Sequence, residues 1–319
     1  MTTPAYTGQN TSFGLGKETT WGTAVARTLQ ARLISHSLRV IREKEPVNHL
    51  IDHSAINFRH FVPLRSRVEG DLEFFPYYTQ KAFAALLQFA MHDDFSTSGS
   101  GPYAHDLVLG RDLPSTYAGL TVETSTRDFS EVFEGCLVNR FVLEQQANQM
   151  ARCRVSLIGE TAGARTTAVN PTLDASPAFL AGHQTGLLTF NSVDYTIKSF
   201  RFTIDNKLEF RPKLGALTTA EPVRNAIQDC LLEIELDKVS NALQAAYLAD
   251  TQSDATLTWT SGAASIGFSL HNGLITEYED SPSSVGPLVE RLTLRGFNDG
   301  TKFGTSVSIT NANSTPAFS

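Results

Sequence analysis

Cysteine is scarce and scattered. The 319-residue chain holds three, Cys136, Cys153 and Cys230. They form no Cys-x-x-Cys pair, and the odd count excludes a full disulfide framework. Each lies in an apolar, strand-like stretch and reads as a buried thiol, so folding in a reducing compartment is expected. Long apolar runs are missing as well. None approaches the ~18 residues that suggest a membrane span. The opening MTTPAYTGQNTSFGLG has neither the basic nor the apolar segment of a secretory signal. Positive charge is also short: 26 Lys and Arg against 33 Asp and Glu give a formal net charge of −7. Tight general binding to nucleic-acid phosphates needs clustered cations, so that class is excluded.

Catalytic constellations are missing too. Gly14-Leu15-Gly16-Lys17 has the look of a phosphate loop, but Glu18 stands where Ser or Thr is required. A carboxylate there repels phosphate. His49 and His53 are four apart, with His60 beyond. Pro46 and the lack of an apolar stripe argue against a helix there, and the Glu of HExxH is absent. No GxSxG elbow and no Cys–His arrangement stands out. Catalytic residues, metal ligands and cofactors are therefore assigned to none.

What is present is alternation. In Arg67–Met91, Val68, Gly70, Leu72 and Phe74 point one way and Glu69, Asp71 and Glu73 the other. Pro76 stops sheet pairing. Ala82, Phe83, Leu86, Leu87 and Ala90 then form an apolar stripe of helical period. The unit is strand, break, amphipathic helix. It recurs from Ile227: Leu72-Glu73-Phe74 matches Leu232-Glu233-Ile234, and Ala82-Phe83 matches Ala242-Leu243 at the same offset. Downstream of each copy, RVSLIG (154–159) is echoed by RLTLRG (291–296). Two echoes in the same order indicate an internal duplication. The alternative is one large β domain with two unrelated strand–helix turns.

The pattern divides the chain into an N-terminal arm (1–30), a first β domain (31–160), an Ala/Thr/Pro-rich linker (161–186), a second β domain (187–300) and a polar C-terminal tail (301–319). An irregular segment, Arg42–Pro63, sits in the first half where Leu208–Arg224 sits in the second. Both copies set carboxylates opposite an apolar strand face: Asp71 and Glu73 in one, Glu233 and Glu235 in the other. Such a row is either an ordinary solvated face or a negative surface turned toward a polyanion.

The stretch GLGKETTWGTAV (14–25), Ser37-Leu38, the long loop, VEGDLEFFPY (68–77) before a helix and the closing RVSLIGE (154–160) together resemble the major tail tube proteins of long-tailed, siphovirus-like bacteriophages. The likeness covers Gly14–Glu160, and Val193–Asn298 through the repeat. Single-domain tube subunits are roughly half this length, and the second half lacks an arm motif. The resemblance implies a mainly β fold, a β-sandwich with one flanking α-helix per repeat, duplicated here. It implies a structural virion protein without enzymatic activity. Its subunits pair sheet edges into rings with a continuous β-barrel lumen, and the rings stack into a tube through which phage DNA passes during ejection.

Applied to this chain, the resemblance gives a ring of three chains with pseudo-six-fold symmetry. Asp71, Glu73, Glu233 and Glu235 become lumen-facing candidates. Phe13, Trp21, Pro46, His49, Phe58 and Phe61 become inter-ring contact candidates. The implied partners are further copies of the chain, the tape measure protein and phage DNA in the lumen, and the tail terminator and tail-tip proteins at the ends. The implied location is the virion tail, assembled in the bacterial cytoplasm. A tail-tip or baseplate hub ring with the same duplicated fold is the rival; it forms a single ring and never polymerises. A carbohydrate-binding β module is a further alternative, which predicts an exposed aromatic platform.

Overall fold

The computed structural model describes residues 11–47, 60–110, 118–126, 129–167, 187–212, 214–281, 287–298 and 304–318. Its elements fall into two successive sets. The first comprises β1 (Ser12–Glu18), β2 (Leu29–Arg32), β3 (Ser35–His36), β4 (Arg39–Val47), β5 (His60–Phe74), α1 (Lys81–Met91), β6 (Ser96–Ser98), β7 (Tyr103–Val108), β8 (Gly119–Ser125), β9 (Phe129–Gln146), β10 (Arg152–Gly159), β11 (Thr161–Ala162) and β12 (Thr166–Thr167). The second comprises β13 (Leu187–Phe190), β14 (Val193–Asp205), β15 (Leu208–Arg211), β16 (Ala220–Arg224), β17 (Asp229–Asp237), α2 (Ala242–Leu248), β18 (Ser253–Ser261), β19 (Ala264–Ser281), β20 (Val289–Arg295) and β21 (Thr305–Asn311). The fold is mainly β.

One antiparallel sheet runs through both sets. Its order is β3–β4, β5, β10, β9, then β14, β17, β20, β19. The second four repeat the order of the first four. The outlying strands repeat too: β1 joins β2 to β8 as β13 joins β14 to β18. Strands β9 and β19 are long because each serves two sheets. Their first halves pair with β8 and β18, their second halves with β10 and β20. Each half thus closes on itself as a sandwich with shared corner strands.

Alternation explains the packing. In β17 the residues Cys230, Leu232, Ile234 and Leu236 are buried while Glu233 is exposed, because successive side chains leave opposite faces. Aromatic pairs tie the shared sheet to the layer above it. Phe200 meets Trp259 with ring centroids 4.7 Å apart, Phe202 meets Phe268 at 4.6 Å, and Phe13 meets Phe74 at 5.2 Å.

Several expectations need correction. The N-terminal arm is not free from residue 12 onward: β1 is a central strand, and Phe13 is only 1% exposed. The small residues that made this stretch look unstructured allow close backbone approach. A Cβ on Gly16 would lie 2.6 Å from the carbonyl oxygen of Ala26. The segment Arg42–Pro63 is not irregular at its ends, since β4 and β5 form a long hairpin, with 48–59 outside the described residues. The linker opens with β11 and β12 on β9, and 168–186 lie outside the described residues.

The C-terminal tail is not an arm either. Strand β21 pairs with β19 and also with β7 of the first half. Beyond it, Ala317 is buried and Phe318 packs on Phe89 of α1 at 6.5 Å. This cover changes α1. The sequence predicts an amphipathic helix, yet every residue from Ala82 to Met91 is buried. Helix α2 has no such cover and buries Leu243 alone.

Candidate assembly interface

Among the described residues, the shared sheet is bare on one face. The other carries the core, with Leu72, Val155, Phe141, Phe202, Leu232 and Leu292 all buried. The bare face is lined by carboxylates, and the structure brings Asp71, Glu73, Glu233 and Glu235 onto it together. Each meets an arginine on a neighbouring strand. Arg154 Nε donates to Asp71 Oδ2 at 3.1 Å, and Arg152 lies 3.4 Å from Glu73. Arg291 lies 3.1 Å from Glu235 and Arg201 3.8 Å from Glu233. Exposed pairs of this kind contribute only ~0.2–1 kcal/mol each. Their effect is on the surface they present: fixed, alternating charge rather than a uniform acidic wall. The four arginines are missed by a reading of acidic rows alone. The signal for Arg154 and Arg291 was the repeated RVSLIG and RLTLRG, whose first residue sits beside the acidic strand.

Two hairpins leave the sheet between equivalent strands, β4–β5 in the first half and β15–β16 in the second. They touch. Ser66 N–H donates to the Leu217 carbonyl at 2.7 Å, and the Arg67 guanidinium lies over the Phe210 ring at 5.5 Å. Arg65 Nε donates to Glu43 Oε2 at 2.8 Å, and Arg67 also reaches Glu43. These arginines hold the Glu43 carboxyl below its usual range, Arg65 chiefly. The hairpins expose apolar side chains: Phe61, Val62 and Leu64 on one, Leu214 and Leu217 on the other.

The sheet is open at both ends. Among the described residues, β3–β4 pair with β5 alone, and the second half of β19 (274–281) pairs with β20 alone. Unpaired edges are templates for another strand. Near the β19 edge, Lys238 Nζ donates to Asp280 at 2.7 Å and to the Tyr278 hydroxyl at 3.2 Å. Asp280 is the main reason that this ammonium is pushed up to about 12. Tyr278 in turn donates to buried Glu290 at 2.7 Å.

The inter-ring candidates are dispersed. Phe61 is 59% exposed on the first hairpin, and Pro46 sits opposite it in the β4–β5 register. His49 and Phe58 lie outside the described residues. Phe13 is in the core and offers no surface to a neighbour, which corrects its assignment. Trp21 is half-buried, its indole N–H donating to the Gly135 carbonyl at 3.0 Å. It belongs to a knot around Glu18. That carboxylate accepts from Gly135 N–H (3.0 Å), Thr121 Oγ1 (2.8 Å) and Gly22 N–H (3.0 Å). Burial raises its pKa in spite of these bonds. Glu18, excluded as a phosphate-loop residue, is a structural anchor.

Among the described residues no three His, Cys, Asp or Glu are grouped so as to hold a metal ion, and no helix is long and apolar enough to cross a membrane. Among the described residues this is a two-layered β chain whose halves share one sheet, bare on one face and open at both edges. The family described as phage tail tube protein matches residues 8–312, nearly the whole chain, and the chain belongs to that family. It is a structural component of the phage tail. No curated protein matches it.

Proposed function

We propose that this chain is the major tail tube subunit, and that three copies close into a ring with pseudo-six-fold symmetry. The observation that carries this is the eight-stranded sheet whose second four strands repeat the first four and whose two edges are both unpaired among the described residues. A repeat that already pairs side by side within a chain can go on doing so between chains, and a heterologous contact closes into a ring when the rotation allows. Two tube domains correspond to 11–167 and 187–318, with 168–186 as the linker. This division moves β1 into the first domain and β21 into the second.

Closing the sheet turns its bare face inward, since helices and second sheets cover the other. Asp71, Glu73, Glu233 and Glu235 would then line the lumen beside their arginines. Phage DNA and the tape measure protein would occupy that lumen. A wall of paired charge, without a cationic stripe, limits the counterion release that would hold DNA in place. The two hairpins, with Phe61, Val62, Leu64, Leu214 and Leu217, would reach the adjacent ring. Tail terminator and tail-tip proteins would cap the ends of a tube assembled in the host cytoplasm.

Negative-stain microscopy of the purified protein tests the reading. Stacked tubes whose end-on views hold three chains per ring are expected. Six chains per ring, with second halves outside the barrel, would sink the trimer. Single rings that never stack would favour a tail-tip role.

A further inference from the structure

The junction between the two halves inside one chain is a template for the junction between chains. Strand β9 faces β14 with Arg140 opposite Asp205, Phe141 opposite Ile204, Val142 opposite Thr203 and Leu143 opposite Phe202. The repeat maps each side onto a free edge. Val155 pairs with Phe141 as Leu292 pairs with Tyr278, so Arg140, Phe141, Val142 and Leu143 correspond to Glu277, Tyr278, Glu279 and Asp280. His36 pairs with Leu72 as Phe202 pairs with Leu232, and Arg39 pairs with Glu69 as Asp205 pairs with Asp229. Hence His36, Ser37, Leu38 and Arg39 correspond to Phe202, Thr203, Ile204 and Asp205.

Resting on the tube reading above, we propose that β19 of one chain pairs antiparallel with β3–β4 of the next in this register, selected by two reciprocal charge and polarity exchanges. Glu277 comes opposite Arg39, and Asp280 comes opposite His36. Tyr278 comes opposite Leu38, and Glu279 opposite Ser37.

The exchanges are matched on both sides. Where the internal junction has Arg140 against Asp205, the free edges carry the opposite charges, Glu277 and Arg39. Where it has two apolar side chains, Leu143 and Phe202, the free edges carry two polar ones, Asp280 and His36. Where it has Phe141 against Ile204, the edges keep an apolar pair, Tyr278 and Leu38. The reversal also discriminates against wrong partners. Strand β19 set against a second chain's β14 would bring Glu277 onto Asp205, and like charges directly opposite are destabilising. Open edges of one chain therefore accept only each other, in head-to-tail order.

Charge exchange tests the register. Arg39 and Glu277 are both exposed, so Arg39→Glu and Glu277→Arg should each fold with the parent's circular dichroism. Each single variant should lower the assembled fraction in sedimentation about tenfold or more, through juxtaposed like charge. The double exchange should restore it. Single variants that assemble like the parent, or a double variant that stays dispersed, would overturn the register. A second measurement does not depend on charge. Directly opposite residues in antiparallel strands have Cα atoms ~4.5–5.5 Å apart, within disulfide reach. Ser37→Cys combined with Glu279→Cys should oxidise to covalently closed rings, whereas Ser37→Cys with Glu277→Cys should not. Crosslinking only in the latter pair, in a protein that still makes tubes, overturns the register and leaves the tube function standing. A parent chain that stays monomeric overturns both.

Discussion

Asn139 and Thr276 are the same residue of the repeat: each is the extra residue of a β-bulge, skipped between partners on β10 and on β20 respectively. A bulge bends its strand and strengthens the local twist. Both lie where β9 and β19 pass from one sheet into the other, so the same device turns the same corner twice. Asn139 is also used for the joint between halves. Its carbonyl accepts from Asn206 N–H at 2.8 Å and its side-chain oxygen from Leu208 N–H at 2.8 Å. Buried Asn206 then donates to Ala90 and Val138 carbonyls, at 3.1 and 2.8 Å, and so satisfies an end carbonyl of α1. Replacing Asn206 by Leu removes both bonds and should cost about 1–3 kcal/mol in denaturant unfolding. A loss below the error of that measurement would remove Asn206 from the joint.

Glu18 gives a second prediction. It collects two backbone N–H groups and one hydroxyl, the bonds from Gly135 and Thr121 being buried. Glu18→Ala should destabilise the fold by about 3 kcal/mol, and Glu18→Gln by less, because the amide oxygen still accepts. The sign of the pH effect follows from burial. The folded state holds the proton more tightly than the unfolded one, whose pKa is near 4.5, so ionisation of Glu18 costs stability as pH rises from there through its raised folded value. The difference in melting temperature between parent and Glu18→Gln should therefore change across that interval.

His92 acts in the opposite direction. It ends α1 in the left-handed conformation, φ 54°, and its Nδ1 meets Arg224 at 3.1 Å. Burial first, and Arg224 second, lower its pKa from 6.5 to about 3. Between those values the unfolded chain takes up a proton that the folded chain refuses. Stability should fall as pH drops through that window, by up to about 1.4 kcal/mol per unit. His92→Asn keeps a residue that tolerates positive φ and removes the titration. Its stability profile should be flatter from pH 6 to pH 4; an unchanged slope would show that other groups set it.

Removing Met1–Thr20 distinguishes an arm from a strand. An arm could be lost without unfolding the subunit. Strand β1 joins β2 to β8 and buries Phe13 and Leu15, so the deletion should abolish cooperative unfolding altogether. A deletion variant with a sharp thermal transition would restore the arm reading. The hairpins behave otherwise. Leu214→Ser with Leu217→Ser changes exposed side chains and should leave rings intact while shortening tubes.

How much of this was legible depends on what kind of strand carries the signal. Leu72-Glu73-Phe74 and Leu232-Glu233-Ile234 sit on a sheet with one bare face, so alternation exposed them, and the duplicated order followed. Strand β1 is buried throughout apart from a half-covered Lys17 and relies on glycine for close approach, so it has no alternation to read. Strand β21 did alternate, with Val307 and Ile309 buried. Its Ser, Thr and Asn content hid that. The cover of α1 includes Phe318, more than two hundred residues away in the chain, a contact that no local pattern encodes. The four acidic candidates were readable as a face. Their arginine partners needed the strand register.

The lumen prediction depends on that pairing. Neutralising Asp71, Glu73, Glu233 and Glu235 to their amides removes the carboxylates that pair with Arg152, Arg154, Arg201 and Arg291 on the same face. Exposed pairs contribute little to stability, so folding should change by no more than about 1 kcal/mol per site and tubes should still form. The electrostatic consequence is larger, because every subunit in every ring would lose four negative charges from this face. Each neutralised phosphate contact adds ~0.9 to the salt slope of DNA binding. Variant tubes should therefore retain short duplex DNA at 50 mM salt and release it as salt rises, while parent tubes retain none at either. In virions the same change should slow genome ejection most at low salt. If variant and parent tubes take up DNA equally, the bare face does not line the channel, and the four carboxylates are ordinary surface residues.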